Sequence, residues 1–346
     1  MTSLALTKIF SLTSIAFLLA LVVTPLLTNV LYKYKLGKNI REDGSTPIFS
    51  KLHAAKKGTP TMGGVLIWGT VVILAVVFWV LDRALGLQVF HSLNFLTRRE
   101  TLLPLGAMAG AAIVGLADDF LDIKRLGHKG RGFSFRFKVI LYTLVAVIGA
   151  WWFYFKLGYD YIHVPFYGNI TIGWLFIPFF ILVVVGTSFA VNETDGLDGL
   201  AGGVLLISFF AYVIIAYMQG RDNLASLLGA IIGGLLAFLW FNVYPARFFM
   251  GDTGSMGLGV LLAIVAFLTN SVLLLPIIGF IFVIETLSML AQIAWRRVFH
   301  KKLFLSSPLH HHLEAIGWPE SKVTMRFWIL SSVASITAVI IFFLDR

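Results

Sequence analysis

"TGSMGLGVLLAIVAFLTNSVLLLPIIGFIFVIETLSMLAQIAW" runs from Thr253 to Trp295, 43 residues with a single charged side chain, Glu285. One α-helix needs about 20 apolar residues to cross about 30 Å of hydrocarbon, so the stretch is roughly two crossings long. Whether it counts as one span or two decides on which membrane face everything after it falls. We read two spans, divided at the polar "TNS" of Thr269 to Ser271.

The rest of the chain supports a membrane reading. Its 346 residues are 58% hydrophobic and 13% charged, with a mean hydropathy of +0.89, which a water-soluble globule of this size does not carry. Cysteine is absent, excluding a disulfide framework and a thiolate metal site. The apolar stretch from Ser11 to Tyr32 is too long for a signal-peptide core and lacks a small-residue cleavage site, so it is expected to be a retained span. Further apolar runs centre on 12–32, 63–81, 101–117, 137–155, 172–191, 200–218, 223–241 and 325–344. With the two halves of the opening stretch they make ten spans. The expected fold is all-α: a polytopic membrane protein of about ten transmembrane helices, one domain over residues 1–346.

Ten spans place segments 33–62, 118–136, 192–199, 242–254 and 296–324 on one face, with both termini on the other. With its flanking Lys138 and Arg326, the first face carries 20 of the 27 Lys and Arg residues, and the positive-inside rule makes it cytoplasmic. Both termini are then extracytoplasmic. The net charge of +10 suits loops facing anionic lipid, so the lipid bilayer is an expected partner and nucleic acid is not. "GAMAG" at Gly106 to Gly110 and "GAIIG" at Gly229 to Gly233 fit the small-residue pattern of close helix packing. "REDGST" at Arg41 to Thr46 reads as a mobile loop, and "YDYIHVPFYGNI" at Tyr159 to Ile170 as an aromatic belt.

Three cytoplasmic segments hold six aspartates: "ADDFLD" with Asp118, Asp119 and Asp122, "NETDGLDG" with Asn192, Asp195 and Asp198, and "FMGDTGS" with Asp252. Asp252 alone is equally an N-cap, and the Asx-Gly pairs are ordinary turn chemistry. The first cluster resists such a reading, because carboxylates at a helix C-terminus face the negative end of the macrodipole, at a cost of a few tenths to about 1 kcal/mol each. A bound cation compensates for that. Carboxylates and an amide without Cys suit Mg²⁺, which keeps water and substrate phosphates among its ligands, and Mg²⁺ with phosphate points to phosphoryl transfer.

"PLHHHLE" adds His310, His311 and His312, suited to a phosphate or sugar contact or to a solvated loop. Lys124, Arg125, Lys129 and Arg131 flank the aspartates, where they suit a diphosphate or lipid headgroups. Phe248 and Phe249 are either interface anchors or a face for a base to stack on. Glu285, seven residues before Gln292, is either a structural or a catalytic buried acid.

In this order on alternate loops, "KGTPTMGG" at Lys57 to Gly64 with "ADDFLD", "NETDGLDG", "FMGDTGS" and "PLHHHLE" resembles the polyprenyl-phosphate N-acetylhexosamine-1-phosphate transferases, most closely their phospho-N-acetylmuramoyl-pentapeptide branch. That resemblance implies transfer from UDP-N-acetylmuramoyl-pentapeptide to undecaprenyl phosphate, giving lipid I and UMP with Mg²⁺, at the cytoplasmic face of the bacterial plasma membrane. It further implies a homodimer. Carried over, Asp118, Asp119 and His311 are the catalytic positions, Asp118 deprotonating or orienting the lipid phosphate, and Asp252 is the metal ligand. Asn192, Asp195, Asp198, Phe249, Gln292, His310, His312 and Lys129 bind substrate, Phe249 by stacking on uracil. Glu193 departs from the family pattern, where an apolar residue is expected. The sugar is inferred chiefly from "PLHHHLE", and a related UDP-N-acetylglucosamine transferase is the nearest alternative. From a different class, a transporter or lipid flippase would use Pro276 and Glu285 in a discontinuous helix, although the acids cluster at one interface.

Overall fold

A computed structural model describes residues 2–34, 36–37, 56, 58–98, 100–128 and 132–345. Arg41 to Thr46, Lys57, Lys129 and Arg131, all given expectations above, lie outside the described residues. The chain is helical nearly throughout: α1 (Thr2–Lys33), α2 (Val65–Leu85), α3 (Gln88–Leu93), α4 (Leu102–Ile123), α5 (Phe135–Trp151), α6 (Phe176–Thr194), α7 (Leu200–Met218), α8 (Asp222–Asn242), α9 (Gly251–Leu268), α10 (Leu275–Ile278), α11 (Phe280–Phe299), α12 (Leu309–Ala315) and α13 (Glu320–Leu344). Among the described residues nine helices are long and apolar enough to cross a membrane. The pair Val272–Ile278 and Phe280–Phe299, bent by 79°, is apolar enough only when taken together, and brings the candidate crossings to ten if it is one span.

The opening stretch does divide at Thr269 to Ser271, where α9 ends at Leu268 and the chain turns before Val272. Its second half breaks again at Gly279, three residues after Pro276. Pro276 stands in the first turn of the short piece, where no helical hydrogen bond needs its missing N–H; hydropathy alone carried no sign of the bend. The aromatic segment from Tyr159 to Ile170 forms a hairpin. β1 (Tyr161–Val164) pairs antiparallel with β2 (Gly168–Thr171), and Asp345 ties it to the chain's end by accepting from Phe166 N and pairing with His163 Nε2.

α9 is the axis of the bundle, buried from Thr253 through Leu268. Small residues allow this. A Cβ on Gly257 would stand 3.0 Å from Ala112 of α4, and one on Gly259 would stand 2.7 Å from Ser188 of α6. The "GAIIG" expectation holds in the same sense, since Gly233 admits the Thr13 carbonyl of α1, which an added Cβ would meet at 2.2 Å. "GAMAG" differs: Gly106 and Gly110 face open space among the described residues.

At one end of the bundle Lys8 of α1 donates to Asn94 O and Asn223 Oδ1. Asn223 begins α8, whose far end, Asn242, lies beside the loop that carries Asp252. The N-terminal end of α1 and the aspartates thus occupy opposite ends of the bundle.

Candidate active site

Two carboxylates from different helices share one ammonium. Asp118, on the last turns of α4, is 4% exposed. Its Oδ2 lies 2.6 Å from Lys138 Nζ, and its Oδ1 accepts from Phe133 N at 2.6 Å. Lys138, in the first turn of α5, reaches the other way to Asp252 Oδ2 at 2.7 Å. The second oxygen of Asp252 accepts from Asn192 Nδ2 at 2.9 Å, and the same amide donates to Ser255 Oγ at 2.9 Å. Asp118 ends a helix where the dipole repels it, whereas Asp252 sits at the attractive end of α9. Lys138 supplies what Asp118 lacks.

Asp119 does different work. Its two oxygens accept from Asp252 N and Thr253 N, each at 3.1 Å, so α4 caps α9 from outside. This replaces the reading of Asp252 as an N-cap: Asp252 stands inside the first turn and turns its side chain to Lys138 and Asn192. Backbone contact makes the arrangement possible. A Cβ on Gly115 would fall 2.4 Å from Asp252 O, and Gly251, at φ +74°, would place one 2.6 Å from Asp119 Oδ2. Gly63 N and Gly64 N donate to the carbonyls of Phe249 and Met250, each at 2.8 Å, locking "TMGG" against "FMGD".

The remaining acids form a neighbouring group. Asp195 Oδ2 accepts from Gly251 N at 3.3 Å. Asp198 accepts from Lys56 Nζ at 2.6 Å and from Ala246 N at 2.9 Å. Glu320, at the start of α13, accepts from the same Lys56 and, at 2.6 Å, from Asp198 N. Lys56 also lies 5.8 Å from the centre of the half-buried Phe249 ring. The six aspartates therefore do not surround one point, and no cluster of three or more acids or histidines with metal-ligand spacing occurs among the described residues. Asp122 lies just past the acidic pair, on the last turn of α4.

The three histidines separate by burial. His310 is fully buried, with Nδ1 2.9 Å from Glu285 Oε2 and its backbone N donating to Glu285 Oε1 at 3.1 Å. Its Nε2 has no hydrogen-bond partner and abuts Gly196 of the "NETDGLDG" loop. His311 Nδ1 pairs with Glu314 Oε2 at 2.9 Å. His312 Nδ1 accepts from Leu305 N at 3.3 Å. Gln292 staples a loop, its Oε1 accepting from Leu303 N at 3.0 Å and Phe304 N at 2.9 Å. Among the flanking cations, Lys124 and Arg125 are exposed.

Sequence reasoning missed Lys138 as a site residue, counting it only as a positive flank. The available signal was a lysine at the second position of the 137–155 run, a cation at the membrane edge on the same face as the acids. Lys56 and Glu320 had no such signal, being a loop cation and the first residue of a helix.

Comparison with known proteins places nearly the whole chain among one set of relatives. Residues 101–270 match the family described as Glycosyl transferase family 4, and residues 56–67 match phospho-N-acetylmuramoyl-pentapeptide-transferase signature 1. The chain is 40% identical over 337 residues to the phospho-N-acetylmuramoyl-pentapeptide-transferase of Chloroflexus aggregans, covering 94% of this chain and 86% of that one. It is 38% identical over 332 residues to that of Clostridioides difficile, covering 95% and 96%, and 39% identical over 317 residues to that of Geobacillus kaustophilus, covering 91% and 92%.

Proposed function

The chain belongs to the phospho-N-acetylmuramoyl-pentapeptide-transferase family, and on that premise we propose that it moves phospho-N-acetylmuramoyl-pentapeptide from a UDP-linked donor to undecaprenyl phosphate, releasing UMP and forming lipid I. The observation that carries the reading is the meeting of Asp118 and Asp252 at Lys138. Acids from separate helices face one place at one end of an apolar bundle.

The residues fit Mg²⁺. Asp118, Asp252 and Lys138 together carry one net negative charge, all the acidic donors are oxygen, and Mg²⁺ takes only one or two carboxylates beside water and phosphate. Asp252 would hold the ion, with Asp118 adjacent; when bound, it neutralises charge on the diphosphate and on the departing UMP. The chain's own residues do the remaining work. Asp118, fixed by Phe133 N, orients or deprotonates the lipid phosphate. A bond then forms from that phosphate's oxygen to the sugar-bearing phosphorus as the bond from phosphorus to the UMP oxygen breaks. Lys138 relieves repulsion between the two acids, Asn192 sets the orientation of Asp252, and Asp119 holds the first turn of α9. His311, held by Glu314, contacts the transferred phospho-sugar with His310 and His312 beside it. Asp195, Asp198, Gln292 and Phe249 form the nucleotide side, with Phe249 under the base and Lys129 at the diphosphate. The site faces the cytoplasm of a bacterial plasma membrane, both termini lie outside, residues 1–346 act as one domain, and the protein works as a homodimer.

The broken span favours a second reading, since discontinuous helices build transporter sites. Its buried Glu285, however, engages His310 through both oxygens and so braces α12 instead of forming a relay. The test is release of UMP by purified protein given undecaprenyl phosphate, Mg²⁺ and either UDP-N-acetylmuramoyl-pentapeptide or UDP-N-acetylglucosamine. The first donor alone should react. Turnover with the second, or with neither, overturns the assignment, and a trapped phospho-Asp118 replaces direct attack by a two-step route.

A further inference from the structure

The C-terminal end of α11 belongs to neither the core nor the site. Every residue from Ile293 to Leu303 is exposed, so no protein packs on this part of the helix from any side among the described residues. It is nonetheless not a polar surface. Leu287, Leu290, Ala294 and Val298 recur at helical spacing as one stripe, with Trp295 and Phe299 beside it, their ring centres 4.1 Å apart. Arg296 falls on the opposite side and Arg297 at the edge of the stripe, seven residues after Leu290, and His300, Lys301 and Lys302 follow at once. Four permanent cations and a histidine thus occupy seven residues beside an uncovered apolar stripe.

That combination is the mark of a helix lying in a lipid interface, its apolar side in the acyl boundary and its cations among anionic headgroups. We propose that the end of α11 and the turn at 300–302 form a platform for anionic phospholipid, and that this platform steadies the histidine helix. The occupant follows from charge complementarity and from the apolar stripe, which a free soluble anion would leave in water. The coupling follows from the hydrogen bonds just beyond the cations. Gln292 accepts from Leu303 N and Phe304 N, Leu305 N donates to His312 Nδ1, and the Phe304 and His312 rings lie 5.3 Å apart. A turn pinned to headgroups is therefore stitched at once to α12.

The test places full-length protein in nanodiscs of phosphatidylcholine alone or with phosphatidylglycerol at a third of the lipid, and reads amide hydrogen exchange over residues 293–312. Each basic residue near an anionic surface contributes on the order of fivefold in affinity. Exchange should slow at least about fivefold in the anionic discs, and Arg297→Gln/Lys301→Gln/Lys302→Gln should abolish the difference while retaining the thermal midpoint in zwitterionic discs. High salt should abolish it too. Equal exchange in both lipids, a triple variant that still responds, or protection conferred by the UDP-linked donor in zwitterionic discs instead of by lipid would each overturn the proposal. The exchange measurement needs no turnover. It therefore stands or falls apart from the transferase reading, on which only a parallel rise in UMP release would rest.

Discussion

Lys138 Nζ lies 2.7 Å from Asp252 Oδ2 and 2.6 Å from Asp118 Oδ2, so the cation joining the two acids is the chain's own. Removing it leaves two close carboxylates with only an external ion to separate them. Truncating one member of a buried ionic group costs about 3–5 kcal/mol. Lys138→Met should lower the maximal rate of UMP release by on the order of 100-fold or more, yet lower the Mg²⁺ concentration needed for half-maximal rate, because the ion no longer competes with an ammonium. A Mg²⁺ titration of initial rates reads both. A variant with wild-type rate and wild-type Mg²⁺ dependence would remove Lys138 from the site.

Asp119 and Asp118 are adjacent in sequence but should fail differently. Asp119 caps α9 through Asp252 N and Thr253 N, and loss of a capping side chain costs about 1–2 kcal/mol. Asp119→Ala should lower the thermal midpoint in detergent and reduce turnover together. Asp118→Asn keeps an oxygen for Phe133 N and leaves Lys138 paired with Asp252, so it should lower the midpoint less than Asp119→Ala does while abolishing UMP release. If Asp119→Ala melts normally, the cap is not what holds Asp252.

The histidines separate in the same way. His310 is fully buried against Glu285, whereas His311 is partly open and paired to Glu314. His310→Ala leaves Glu285 as a buried, unpaired acid and should destabilise by about 3–5 kcal/mol, with Glu285→Gln restoring part of the loss. His311→Ala should spare the melting curve and cut the maximal rate. The two midpoints, measured side by side, decide which histidine is a brace.

Residue type and order went a long way toward this arrangement. Span positions follow from run length, the four runs between Asp118 and Asp252 put both at one end, and dividing the Thr253 to Trp295 stretch brings His310 to His312 to the same end. What sequence could not supply was direction. Adjacent residues such as Asp118 and Asp119 point to an ammonium and to a helix terminus because of backbone approach at Gly115 and Gly251, a three-dimensional fact. The 79° bend after Ile278 and the hairpin at Tyr161–Thr171 were likewise hidden, since hydropathy records length and not path. Lys56 and Glu320 meet across 264 positions of sequence, and no local pattern announces such a pair.

Helix packing offers a check at a distance from the chemistry. Gly233 of α8 lies against the Thr13 carbonyl, where a Cβ would intrude at 2.2 Å, while Gly110 of α4 has open space. Overpacking costs about 1–3 kcal/mol, so Gly233→Ala should depress the thermal midpoint and Gly110→Ala should leave it unchanged or raise it slightly. Equal midpoints for the two variants would mean that α1 and α8 are not held as closely as described.

Glu320 gives the sharpest division between binding and turnover. Its Oε1 accepts from Asp198 N and from Lys56, and nearby Thr324 Oγ1 donates to Asp198 O and Trp328 Nε1 to Gly199 O, so the first turns of α13 clamp the "NETDGLDG" loop. None of these bonds reaches Asp118, Lys138 or Asp252. Gln at 320 keeps an oxygen for Asp198 N but loses the charge that shares Lys56, and a hydrogen bond to a charged group is worth about 1.5–3 kcal/mol. Glu320→Gln should therefore raise KM for the UDP-linked donor by about tenfold while kcat stays within about twofold. Should kcat fall with KM unchanged, Glu320 and the Asp198 loop act on the reacting phosphate and the nucleotide lies elsewhere.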